Sequence, residues 1–106
     1  MASYEEFQKL EIKIAEIETV APHPNADRLY VLGLKVGEVR KQIVAGIRAH
    51  YTEEELRGKK IVIIDNLDPV VIRGVESQGM LLAASTDTTL TLICPERPIA
   101  DGAKVK

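Results

Sequence analysis

Short apolar runs, each ended by residues that favour turns, recur along the whole chain and restrict it to small β architectures. The longest of these runs are Ile61–Ile64 and Met80–Ala84. Both are far shorter than the roughly 20 apolar residues that a membrane-spanning helix needs, so we predict no membrane partner. A chain of 106 residues supports one modest core, and no repeat or linker divides it. We therefore treat residues 1–106 as a single domain.

The first half of the chain predicts three strands, at residues 11–20, 29–36 and 39–47. Ile12 and Ile14 alternate with polar residues, whereas Ile17 resumes the apolar pattern one residue out of phase. A slip of one residue predicts a β-bulge, which bends a sheet toward closure. The segment His23–Asp27 contains proline, asparagine and aspartate, and it predicts a loop between the first two strands.

Two capping boxes predict short helices, because Glu6 follows Ser3 and Glu55 follows Thr52 at the required spacing of three residues. Gly58 can end the second helix. The second half of the chain predicts strands at residues 59–67, 80–84 and 90–93, an irregular stretch at 68–79, and a tail without periodicity after residue 94. Residues 61–64 are expected to be buried on both faces of the sheet.

Three strands, a short helix and two or more further strands follow one another in the order of an oligonucleotide-binding (OB) barrel. We predict a mainly β, five-stranded OB-fold barrel with a short helix between strands 3 and 4 and with N- and C-terminal extensions. A small β-sandwich or an SH3-like barrel is the alternative. OB barrels bind ligands across strands 2 and 3 and through the loops that join strands 1 to 2 and 4 to 5.

Metal and disulfide chemistry are not indicated by the cysteine and histidine positions. His23, His50 and Cys94 are scattered, and no pair has the spacing of zinc ligands, so we predict neither a metal nor a cofactor. A single cysteine cannot form an internal disulfide, which favours the reducing cytoplasm. The acidic start Met1–Glu6 does not resemble a secretory signal and points to the same compartment.

Two segments resemble catalytic motifs without completing them. Gly74–Gly79 has the glycine spacing of a P-loop, but Met80 and Leu81 follow where a lysine and a hydroxyl residue are required. Ser77 lacks the glycine two residues earlier that a nucleophile elbow needs. We therefore predict a binding protein and not an enzyme.

Charge gives mixed evidence on the kind of ligand. The chain has 14 basic and 16 acidic residues, whereas most nucleic-acid binders are basic overall. Its bases are nevertheless concentrated in one stretch, at Arg28, Lys35, Arg40, Lys41 and Arg48. Such a run is more often a solvated face than a binding site, so composition alone leaves the kind of ligand open. Tyr30 is the one aromatic residue on a predicted strand of the ligand face, so any RNA target should be folded and recognised by its shape.

Four motifs occur together in a fixed order: 23–29 (HPNADRL), 43–47 (IVAGI), 66–69 (NLDP) and 74–82 (GVESQGMLL). Together they resemble the tRNA-binding domain found at the C-terminus of methionyl-tRNA synthetases. Stand-alone tRNA-binding proteins and CsaA-type secretion chaperones are similar to the same family. The resemblance extends over residues 7–104. Two positions differ from the family pattern, since Glu16 stands where a base is usual and Asp65 replaces a small apolar residue.

The resemblance implies an OB fold whose two extensions form a symmetric homodimer. It also implies largely sequence-independent binding of tRNA at the outer corner of the L, without reading of the anticodon. By matched position, Ser77 and Met80 would contact tRNA and Asn25 would assist, with bases of strands 2 and 3 beneath them. The full predicted tRNA-binding set is Asn25, Arg28, Lys35, Arg40, Lys41, Arg73, Ser77, Gln78 and Met80.

Three alternatives stay open. The chain can be a stand-alone protein, or it can be a domain that works with a methionyl-tRNA synthetase catalytic region in the same or another chain. A CsaA-type chaperone that binds peptides would use the same barrel but would need an exposed apolar groove. Met80 can be either a surface residue that contacts RNA or a core residue that enters the barrel.

Overall fold

The computed structural model describes residues 1–106 as a mainly β protein with two short helices. Helices α1 and α2 comprise Tyr4–Gln8 and Glu53–Leu56. The strands are β1 Ile12–Pro22, β2 Tyr30–Val36, β3 Val39–Ala45, β4 Lys60–Ile64, β5 Val70–Ile72, β6 Val75–Ser77, β7 Met80–Leu81, β8 Ala83–Ser85, β9 Leu90–Leu92 and β10 Lys104–Val105.

An antiparallel sheet with the strand order β3-β2-β1-β4-β7 forms the body of the molecule, and β10 joins it alongside β1. Strand β1 pairs with β4 through residues 12–16 and with β2 through residues 16–22, so the sheet bends along this strand. The register shifts between Ile17 and Thr19, which confirms the predicted bulge. The curled half-barrel is consistent with an OB-like barrel, as the sequence predicts.

The core lies on both faces of β4. Ile61 and Ile63 point into the main cluster of 14 buried residues, whereas Val62 and Ile64 belong to a second cluster on the opposite face. The C-terminal tail covers that second cluster through Val105 and its neighbours. Complete burial of one such side chain contributes about 1.5–3 kcal/mol. The prediction that residues 61–64 are buried on both faces is confirmed.

Both capping boxes form as predicted. The Ser3 side chain accepts from the Glu6 backbone N–H while the Glu6 carboxylate accepts from the Ser3 N–H, and Thr52 and Glu55 repeat the arrangement. The bonds from the Thr52 backbone and hydroxyl hold the pKa of Glu55 below its usual value. Helix α1 buries none of its residues.

Residues 68–79 are not irregular, which corrects the prediction for this stretch. Strands β5 and β6 form a hairpin whose two-residue turn is Arg73-Gly74, with φ of 52° and 89°. Left-handed angles at both positions are typical of tight hairpin turns, which Asn-Gly or Asp-Gly usually marks in a sequence. Because Arg-Gly is not one of these usual pairs, the sequence does not predict the turn. The predicted strand at 80–84 is also interrupted, because β7 ends at Leu81 and β8 begins at Ala83.

The C-terminal tail contains a strand that its sequence does not predict, because distant contacts order it. Asp101 accepts from the Gly37 backbone N–H at 2.7 Å and from the Lys35 ammonium at 3.2 Å. Gly102, with φ of 87°, lies so close to Gly37 that a Cβ there would come within 3.0 Å of the Gly37 backbone. These contacts fasten the tail to the β2–β3 turn and place β10 against β1.

Candidate functional site

Hydrogen bonds hold the loop between β1 and β2 against the tip of the β5–β6 hairpin. The Asn25 side-chain amide donates to the Arg73 carbonyl at 3.1 Å, and the Arg73 guanidinium donates back to the Asn25 carbonyl at 3.2 Å. His23 Nε2 lies 2.9 Å from the Ile72 carbonyl oxygen. The structure thus joins the two loops that an OB barrel uses for ligands.

His23 is the residue of this site that sequence reasoning missed. Its side chain is only 4% exposed, and Nδ1 accepts from the Asn25 backbone N–H at 2.9 Å. Because Nδ1 is an acceptor, the ring proton is assigned to Nε2, which donates to the carbonyl of Ile72. No sequence signal could identify this role, since Ile72 is 49 residues away along the chain.

Ser77 and Gln78 close the barrel against β3. The Ser77 hydroxyl accepts from the Val44 N–H at 2.9 Å, and the Gln78 side-chain oxygen accepts from the Gln42 N–H at 2.9 Å. The Gln78 N–H donates in turn to the Gln42 carbonyl at 2.8 Å. Ser77 is 2% exposed, so the direct tRNA contact that the resemblance implies for it is not accessible in this structure.

Met80, the first residue of β7, lies on the surface of the protein. Its side chain is 48% exposed, whereas Ile64, its partner in the β4–β7 ladder, is buried. This geometry decides between the two readings of Met80 in favour of a surface residue. Gly79 makes the turn possible, because its φ is 149° and a Cβ there would lie 2.9 Å from the Ile64 carbonyl oxygen.

The bases of β2 and β3 do not form one continuous surface. Lys35 and Arg40 are cross-strand partners on one face of the sheet, whereas Lys41 pairs with Leu34 and points to the other face. Each of the three also has an acidic partner within the chain: Lys35 with Asp101 at 3.2 Å, Arg40 with Glu18 at 2.6 Å and Lys41 with Asp65 at 2.6 Å. The expected basic floor is therefore divided and largely neutralised.

Three arginines have no acidic partner. Arg28 and Arg73 are exposed beside the joined loops, and the Arg48 guanidinium lies 5.9 Å from the ring centroid of Tyr30. Tyr30 itself is buried, and its hydroxyl donates to the Tyr51 carbonyl at 2.8 Å. Tyr30 is therefore not available for base stacking, which removes the one aromatic platform that the sequence could offer.

The structure has no group of three or more His, Cys, Asp or Glu residues that could hold a metal ion. No helix is long and apolar enough to cross a membrane.

The sequence matches the family described as "Putative tRNA binding domain" over residues 12–104. The chain belongs to this tRNA-binding domain family. Members of the family are non-catalytic binding domains, in agreement with the prediction that the chain is not an enzyme.

Relatives of this tRNA-binding domain include a methionine–tRNA ligase of Thermococcus kodakarensis, which is 46% identical over 104 residues. That match covers 98% of this chain but 14% of the ligase, so the chain spans about one seventh of the length of the curated relatives it matches.

Two solved structures superpose over the whole chain. One is a MetRS-related protein from Pyrococcus horikoshii, with a TM-score of 0.93, 33% identity and coverage of 100% of this chain and 98% of that one. The other is a CsaA chaperone protein from Picrophilus torridus, with a TM-score of 0.92, 28% identity and coverage of 100% of both chains.

Asp65 gives this tRNA-binding domain a half-buried ionic centre. The carboxylate is 12% exposed and lies 2.9 Å from the Lys13 ammonium and 2.6 Å from that of Lys41. Burial by itself raises the pKa of Asp65, but hydrogen bonds from Lys41 and Lys13 outweigh it and hold the pKa below the usual value. The hydrogen bond to Asp65 in turn raises the pKa of Lys13. Asp65 therefore stays ionised and keeps both lysines occupied.

Proposed function

We propose that this domain binds the shape of folded tRNA at the outer corner of the L, largely without regard to sequence, in the cytoplasm where aminoacyl-tRNA synthetases act. The observation that carries the proposal is the pair of reciprocal hydrogen bonds between Asn25 and Arg73. They join the two loops that OB barrels use for ligands into one surface, in a chain whose family binds tRNA.

The predicted binding residues divide into two roles under this proposal. Those on the surface contact tRNA directly: Asn25, Arg28, Arg73 and Met80. Those that are buried, paired with acids or hydrogen-bonded to the β3 backbone support the surface: Lys35, Arg40, Lys41, Ser77 and Gln78. The guanidinium groups of the first set can donate to phosphate oxygens, which position an RNA without reading its bases.

The synthetase relatives suggest the context in which the domain works. We infer that it delivers tRNA to a methionyl-tRNA synthetase catalytic region, either within one chain or in trans. A homodimer would place two such surfaces on one particle. The homodimer is supported by an apolar groove of about 310 Å³ between α1 and β10, which is lined in part by Tyr4, Phe7, Leu10 and Val105. The first three of these side chains are exposed in the single chain.

A gel-shift titration with total tRNA tests the proposal. The intact protein should shift all tRNA species with similar affinity, and an isolated anticodon stem-loop should not compete. The double variant R28Q/R73Q should bind at least tenfold more weakly, because two guanidinium–phosphate contacts are lost. R57Q/R97Q removes two exposed positive charges away from the proposed site and serves as the control for net charge. Equal affinity of R28Q/R73Q and R57Q/R97Q would contradict the proposed site.

Peptide binding of the CsaA type is a second candidate function, and one observation favours it. Four exposed apolar side chains lie on the segment that contains the hairpin: Leu67, Val70, Val71 and Met80. Exposed apolar patches often mark surfaces that bind a partner. Binding of unfolded polypeptide that tRNA does not displace, together with no shift of tRNA, would favour this function over the first.

A further inference from the structure

The β5–β6 hairpin is weakly supported by its own structure. It forms a separate two-stranded sheet with three cross-strand pairs, and Val71 at its centre is 72% exposed. An isolated hairpin of this kind is marginally stable in water. Its base is held to β3 by Gln42, whose side-chain amide donates to the Glu76 carbonyl at 2.8 Å. Its tip is held only through the β1–β2 loop.

The tip also contains an unfavourable backbone conformation. Arg73 is the single residue other than glycine with a positive φ, at 52°. Residues with side chains rarely occupy this region unless surrounding contacts impose it. The contacts here are the two hydrogen bonds with Asn25, whose amide nitrogen also lies 3.5 Å from the place of a Cβ on Gly74. The direction of the Arg73 side chain therefore depends on where the loop holds Asn25.

His23 holds the β1–β2 loop in place through hydrogen bonds of both ring nitrogens. One ring nitrogen accepts from the Asn25 backbone N–H and the other donates to the Ile72 carbonyl, immediately before Arg73. We propose that His23 is a positioning residue, whose Nε2–H bond to Ile72 aligns the hairpin tip with the loop and so presents Arg73 and Asn25 to RNA as one surface. This inference rests on the proposed tRNA binding and assigns a role to a residue that does not touch the ligand.

Two substitutions separate the two bonds of the imidazole. In His23→Asn the side-chain oxygen can replace Nδ1 and accept from Asn25, but the side chain is too short to reach Ile72. In His23→Gln the amide nitrogen can replace Nε2 and donate to Ile72. We expect H23Q to bind total tRNA within about twofold of the wild type. H23N should bind about tenfold more weakly, because it loses the bond that aligns the hairpin tip with the loop, and the net contribution of one hydrogen bond corresponds to a factor of about ten.

Hydrogen–deuterium exchange of the free protein gives a readout that does not need tRNA. The residue 70–77 hairpin should exchange faster in H23N than in H23Q, while β1 to β4 keep their protection in both variants. Equal tRNA affinity of H23N and the wild type would overturn the positioning role, and so would equal loss in both variants. If the wild type binds no tRNA, the proposed function fails, and the exchange difference still decides whether His23 aligns the hairpin.

Discussion

The Lys41 ammonium lies 2.6 Å from a carboxylate oxygen of Asp65 and donates to the backbone carbonyl of the same residue at 2.7 Å. Lys13 approaches the other carboxylate oxygen at 2.9 Å. One acid immediately after β4 thus forms ion pairs with a base on β3 and with a base on β1. The arrangement makes Lys41, which the sequence predicts as an RNA contact, and Lys13 into supports of the barrel.

Stability in acid should depend on Asp65. The folded-state pKa of Asp65 is lowered, so its contribution to the free energy of unfolding is present above the unfolded pKa of about 3.9 and is lost as pH falls through the folded pKa. Urea unfolding between about pH 5 and pH 2 should therefore show a shallower pH dependence in D65N than in the wild type. D101N provides a comparison, because the pKa of Asp101 is also lowered. An unchanged slope in D65N would contradict the assigned role.

Met80→Ala should separate binding from folding. Because the side chain is half exposed, we expect the free energy of unfolding to change by less than about 1 kcal/mol while tRNA affinity falls. Ile64→Ala, at the buried partner position, should lower the free energy of unfolding by about 2–5 kcal/mol. Thermal unfolding and gel shifts on both variants check the pair. A large loss of stability in Met80→Ala would restore the core interpretation.

Gly79→Ala should be more damaging than Gly58→Ala. Both glycines have positive φ, 149° at residue 79 and 87° at residue 58, so an alanine is strained by roughly 1–3 kcal/mol at either position. At residue 79 the new Cβ would also collide with the Ile64 carbonyl oxygen at 2.9 Å, whereas nothing lies within 4 Å at residue 58. The melting temperature should therefore fall further for Gly79→Ala, and tRNA binding should weaken only there. Equal melting temperatures would show that the contact is relieved without strain.

The salt dependence of tRNA binding should be modest. Three arginines lack acidic partners: Arg28, Arg48 and Arg73. Of these, Arg28 and Arg73 lie on the proposed contact surface, so with about two phosphate contacts per barrel log affinity should fall against log salt with a slope of roughly −1 to −2. Filter binding between about 50 and 300 mM KCl measures this slope. A flat response would remove phosphate contact as the main source of affinity, and a slope much steeper than about −2 would mean that the paired lysines open toward RNA.

Phe7→Glu should disrupt the proposed dimer. The Phe7 ring lines the groove between α1 and β10, and its replacement removes an apolar contact and places a carboxylate in the proposed interface. Val39→Glu adds the same charge at an exposed apolar residue of β3 and serves as the control. Sedimentation should give a dimer for the wild type and Val39→Glu, and a monomer with weaker tRNA binding for Phe7→Glu. A monomeric wild type at all concentrations would contradict the dimer.

Local sequence patterns predicted most of the fold. The capping residues Ser3 and Thr52 set where the helices begin, and the slip at Ile17 marked the bulge, because each signal depends only on near neighbours. The hairpin turn at Arg73-Gly74 and strand β10 were not predictable in this way. Their conformations are imposed by Asn25 and by Gly37, which lie far away along the chain.

The sequence by itself determined the fold class, the family and the loops that form the candidate site. Only the tertiary structure decided which site residues are free to act. Ser77 and Lys41 are polar residues in a plausible motif, yet one is buried against Val44 and the other is paired with Asp65. Exposure and ion pairing depend on partners brought close by folding, since a side chain's charge is written in the sequence but its neighbours in space are not.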